Sequence, residues 1–152
     1  MFNVIVKMDA QQKAFLAQVR DAMQDYFGAD QRRIDHALQV SCYAEELLSY
    51  IDADPVTTLA AAYLHDIGIP ESERKHGSSS GKWQEIEGPP IARKILATLD
   101  AEEALTEQVA AIVAGHHTRN AIDTPEFRVI WDAPGGNAEP RQLNVRHPDC
   151  GG

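Results

Sequence analysis

The chain has 152 residues, 43% hydrophobic and 24% charged, the composition of a globular domain with its own core rather than of a disordered chain. A formal net charge of −9 opposes a broad phosphate-tracking surface, so nucleic acid is not expected as the main partner, and a small anionic substrate would need a locally basic pocket. No apolar run is long enough to span a bilayer, and the N-terminal MFNVIVKMDAQQK has no secretory apolar region, so neither a membrane partner nor secretion is expected.

In chain order, FNVIVKM is the one stretch that could pass for a strand, and it has nothing to pair with. The first helix starts at the N-cap Asp9, with Gln12 three residues on. It carries Phe15, Leu16, Val19, Ala22, Met23 and Tyr26 at helical spacing and ends at Gly28. Asp30 caps a second helix over residues 31–51, whose apolar stripe runs through Ile34, Leu38, Ser41, Ala44, Leu48 and Ile51. In the third, Asp54 is the N-cap, Pro55 fits the first turn, the whole helix through AAYLHDIG reads as buried, and Gly68 fits the left-handed position after it. Residues 71–88, polar and rich in serine and glycine, read as a long connection of the kind that serves as a lid. GSSSGKW within it is not a phosphate-binding loop: it is one residue short between the glycines, lacks Ser or Thr after Lys82, and follows no strand. GPPIARKILATLD and AEEALTEQVAAIVAGHH give two more helices, and a short last one begins at Thr124 and Pro125. Residues 133–152 hold three prolines and four glycines and read as an irregular tail. Two cysteines, Cys42 in a helix and Cys150 in the tail, make no zinc pair and no disulfide framework, which suits a cytoplasmic location. The expectation is all-α: a domain over residues 1–132 of about six helices, followed by the tail.

Several polar residues fall on faces that should be buried. His36 lies mid-helix among apolar neighbours, His65 and Asp66 close one helix, His116 and His117 close another, and Asp132 follows FRVIW. Each has a bland account alone: a hydrogen-bonded core histidine, a pair complementing a helix dipole, a cap. Imidazoles and carboxylates converging from several helices are what a divalent transition metal requires.

His36, the His65–Asp66 doublet and Asp132, in that order, resemble the signature of HD-domain metal-dependent phosphohydrolases, and YLHDIG is similar to that family's wording around the doublet. The resemblance spans residues 30–132. It implies a compact helical bundle in which His36, His65, Asp66 and Asp132 bind one ion. IEGPPIARKIL followed by IVAGHH looks like the region that supplies second-metal ligands in binuclear members. Glu87 stands there where a histidine is usual, so the second site would be Glu87, His116 and His117, sharing Asp66. The family's last helix usually continues past the final Asp, whereas Pro134 interrupts it here. Apolar surface beside Trp131 would then be open to a partner, and a homo-oligomer is one outcome.

The cofactor this implies is one or two divalent ions of manganese, iron, zinc, nickel or cobalt. Such an ion lowers the pKa of bound water towards about 7, and the resulting hydroxide can attack phosphorus. The function expected is hydrolysis of a small phosphate ester, a nucleotide or related metabolite, as a phosphomonoesterase or phosphodiesterase. Arg33, Lys75, Arg93 and Arg119 are the candidates for neutralising substrate charge. Asp66, as a ligand, and Glu71 and His76, as acids on the long connection, are the candidates for catalysis. Two alternatives belong to other classes. A di-iron oxygenase would need six metal ligands, and a catalytically silent signalling module would be expected to have lost some of the core ligands.

Overall fold

The computed structural model describes residues 8–133; FNVIVKM up to Lys7, the tail after Ala133 and the cysteine reading, which depends on Cys150, fall outside the described residues. Seven helices follow one another there, with no strand among the described residues: α1 (Ala10–Phe27), α2 (Gln31–Leu47), α3 (Pro55–Leu64), α4 (Ile69–His76), α5 (Gly81–Thr98), α6 (Glu103–Gly115) and α7 (Pro125–Asp132). The starts of four are set locally. Asp9 and Gln12 form a reciprocal capping box on α1, and the side chains of Asp30, Asp54 and Thr124 accept from backbone N–H groups in the first turns of α2, α3 and α7.

α3 is the axis of the bundle. Every residue from Val56 to Leu64 except Tyr63 is buried, and α1, α2, α6 and α7 pack around it. Leu64, Ile67, Val109, Ile112, Val113 and Val129 are among its fully buried neighbours or members, so the polar pair that ends it emerges at the floor of an apolar core.

Two expectations are corrected. Residues 71–88 are not a long loop. Ile69–His76 is helical, with Glu71 in the first turn, Arg74, Lys75 and His76 in the last, and Gly77 in the left-handed conformation that ends it. After Ser78–Ser80 the chain re-enters a helix at Gly81 and continues through Pro89 and Pro90. The prolines give no N–H to the carbonyls of Glu85 and Ile86, yet their fixed φ suits the helix. Polar composition there reflects two helices with solvent-facing sides, not absence of helix.

Gly68 is the second correction. It has φ −78 and ψ −9, an ordinary helical conformation, and acts as the N-cap of α4 rather than as a left-handed terminator. Its hydrogen side chain is needed for proximity: a Cβ there would lie 2.7 Å from Gly88 N and 2.8 Å from Gln84 O, so the backbones of the doublet turn and α5 touch.

Candidate metal centre

Two helix ends and one helix interior meet at Asp66. His36 projects from the middle of α2, His65 is the C-cap of α3, Asp66 lies in the turn that follows, and His116 caps the end of α6. His36 Nε2 and His65 Nε2 lie 3.2 and 3.4 Å from Asp66 Oδ2, and 3.3 Å from each other. His116 Nε2 lies 3.3 Å from Asp66 Oδ1, on the other oxygen. The side chains of His65 and His116 are only 4% and 3% exposed, whereas His36 is 30% exposed, so the cluster opens to solvent past α2.

The protons of two of these rings are fixed by the backbone. His65 donates Nδ1–H to the Ala62 carbonyl at 2.7 Å, and His116 donates Nδ1–H to the Val113 carbonyl at 2.8 Å. Each contact is an imidazole turned back on its own last helical turn, which aims Nε2 inward. Burial pushes the His65 pKa down to about 4, against the pull of the Asp66 charge, so the ring is neutral near pH 7 and its Nε2 carries a lone pair. Burial works to raise Asp66, but the surrounding imidazoles of His65, His116 and His36 outweigh it and hold the carboxyl well below the usual carboxylate range. The lone pair of the neutral His65 Nε2 therefore faces a carboxylate, an arrangement that favours a cation between them.

The donor set fits a divalent ion on two observations. His116 Nε2 is buried with no hydrogen-bond partner, the orphaned state a metal ligand has when no ion is considered. Tetrahedral bonds of about 2.0–2.1 Å put ligand atoms about 3.3 Å apart, the spacing found between the His36, His65 and Asp66 atoms. Two groups of donor atoms close enough to hold an ion result: His36, His65 and Asp66, and Asp66, His116 and His117, with the carboxylate shared.

Not every residue singled out from the sequence joins them. Asp132 is exposed at the end of α7 and belongs to neither group. Glu87 also stands apart: Lys75 Nζ lies 3.0 Å from it and His76 Nε2 lies 3.6 Å from it, and these neighbours hold its carboxyl below the usual range, Lys75 foremost. The α5 residues facing His117 are Gln84, whose Oε1 is 3.0 Å from His117 Nε2, and Glu85, which accepts the His117 backbone N–H at 3.2 Å and the Thr118 hydroxyl at 2.9 Å. Sequence reasoning missed both because it read them as loop. Once α5 starts at Gly81, the set Gly81, Gln84 and Gly88 falls on one helical face at spacings of three and four, and that small-and-polar stripe was the available signal.

The basic and acidic candidates sit on surrounding helices, except Arg119, which lies in the turn after α6. Arg33, one turn before His36, reaches Glu73 at 3.2 Å and Asp30 at 3.6 Å. Lys75 is paired with Glu87, Arg93 forms a two-pronged pair with Glu107 on α6 at 3.2 and 3.1 Å, and Arg119 is exposed just beyond His117. Glu71 is held by Arg74 at 2.6 and 2.8 Å, which lowers its pKa and leaves it a poor proton donor near neutrality. His76 stacks on Trp83 with ring centres 3.8 Å apart. Among the described residues no helix is long and apolar enough to cross a membrane.

Comparison with known families gives one match: the family model described as HD domain aligns with residues 33–146, well over half of the chain. No curated protein and no solved structure matches.

Proposed function

The chain belongs to the HD domain family, a superfamily of metal-dependent phosphohydrolases, and on that premise we propose that it hydrolyses a small phosphate ester, a nucleotide or related metabolite. The observation that carries the reading is the convergence of the Nε2 atoms of His36, His65 and His116 on the two oxygens of Asp66. A divalent ion held there supplies a nucleophile at neutral pH and a positive charge for phosphoryl oxygens.

The chain's own groups supply the rest. Asp66 spans the two donor groups with one oxygen towards each, so it holds both in register. The Ala62 and Val113 carbonyls keep His65 and His116 from rotating, so the donor atoms are preorganised in a floor that excludes water from the core side. Arg33 is the strongest candidate to bind substrate phosphate. It lies on the His36 side of α2, next to the opening, and its Nε is buried without a hydrogen bond. The overall charge of −9 makes such a local cation necessary for an anionic substrate.

The test is direct. Protein purified without chelator is analysed for metal, stripped, reloaded with manganese, iron, zinc, nickel or cobalt, and assayed for phosphate release from a panel of nucleotides and other phosphate esters. The expected result is hydrolysis by at least one loaded form and none by the stripped form or by Asp66→Ala. A fully loaded protein that releases no phosphate from any ester overturns the reading.

A further inference from the structure

α5 grips His117 with three residues. Gly81 lies flat against it, since a Cβ there would come within 2.7 Å of His117 Cβ and Cγ. Glu85 Oε2 accepts the backbone N–H of His117, and Gln84 Oε1 lies 3.0 Å from the ring Nε2. Gln84 is buried, and chemistry fixes which way its amide points. Its other end is 2.6 Å from the Ser79 carbonyl oxygen, which can only accept, so that end is the NH2 and the end facing His117 is the carbonyl. An amide oxygen also only accepts. In neutral His117, therefore, the proton sits on Nε2.

We propose that Gln84 is a positioning residue that fixes His117 as its Nε2–H tautomer, so that the nitrogen it offers to Asp66 and His116 is Nδ1. This is the reverse of His65 and His116, whose Nδ1–H groups are given to backbone carbonyls and whose Nε2 atoms face Asp66. The proposal rests on the metal-centre reading for its consequence alone: an ion held by Asp66, His116 and His117 takes one nitrogen of each kind. The tautomer itself requires neither an ion nor a substrate.

The experiment is a long-range 1H–15N correlation spectrum of the metal-free full chain at mildly alkaline pH, with the His117 signals assigned by their loss in His117→Ala. Wild type is expected to show one Nε2–H pattern for His117. Gln84→Glu keeps an acceptor at the same place and keeps that pattern. Gln84→Met keeps the bulk, removes the acceptor, and is expected to lose the uniform Nε2–H pattern. Zinc titration of the same proteins reads the consequence, with the weaker binding step loosened about tenfold by Gln84→Met and not by Gln84→Glu. A purely space-filling role for Gln84 would make the two variants alike. An Nδ1–H pattern for His117 in wild type, or identical His117 patterns in the Met and Glu variants, overturns the proposal, and the wild-type spectrum decides even where a variant does not fold. Failure to cleave any phosphate ester would instead remove the hydrolase reading and leave the tautomer standing.

Discussion

Gly68→Ala tests how the doublet is seated. The position has ordinary helical angles, so alanine meets no backbone strain there, and the effect is steric alone. The added carbon would sit 2.7 Å from Gly88 N, 2.8 Å from Gln84 O and 2.8 Å from Gly88 Cα. All three are backbone atoms of α5, so no side chain can swing aside. Ordinary contact begins at 3.4 Å, and the doublet turn and α5 must part by about 0.7 Å to reach it. Overpacking of this kind costs about 1–3 kcal/mol, and the rigid backbone on both sides argues for about 3. For a chain of this size that lowers Tm by about 10 °C. Gly77→Ala is the control. It has φ 63 with nothing within 4 Å of the added carbon, so its cost is conformational, about 1 kcal/mol. Urea unfolding of the metal-free full chain, followed by circular dichroism, measures both. The reasoning is refuted if Gly68→Ala costs no more than Gly77→Ala.

Asp66→Asn should reduce retained metal to background while the chain stays folded, because it removes the anion both donor groups share; elemental analysis beside a circular dichroism spectrum checks this. Asp132→Ala should leave metal content unchanged, since the residue is exposed and outside both groups, and a stoichiometric loss of metal would restore it as a ligand. Arg33→Ala should raise KM for the best ester about tenfold without altering metal content, as expected of a lost charge-assisted phosphate contact, and steady-state kinetics with metal analysis separates the two effects. The metal-free chain should also lose stability as pH falls. Folded His65 titrates at about 4 and the unfolded residue at 6.5, so between those values the unfolded state binds more protons, and about 3 kcal/mol present above pH 6.5 is lost by pH 4. Urea midpoints across that range that do not fall on acidification would contradict a neutral, buried His65.

What could be read from the sequence follows the range of the interaction that decides each feature. Asp9 with Gln12, Asp54 with Pro55, and Thr124 with Pro125 announce helix starts because a cap is satisfied within three residues, and all three starts stand where the spacing put them. His36, His65, Asp66 and His116 were legible because each is polar on an otherwise apolar face, and such a face has one interior to point into. The failures are of another kind. Glu87 and Gln84 are three residues apart on the same helix, and which of them meets His117 depends on where α5 begins and on how closely Gly68 and Gly88 let it approach. That approach is a contact between residues twenty positions apart and leaves no periodic trace. Once it is set, the remainder follows by charge. Glu87 is turned towards Lys75 and His76, where the lysine charge stabilises an anion at the protein's edge. Gln84, which is neutral and can both donate and accept, is the one that can be buried between the Ser79 carbonyl and an imidazole without leaving a polar group unsatisfied.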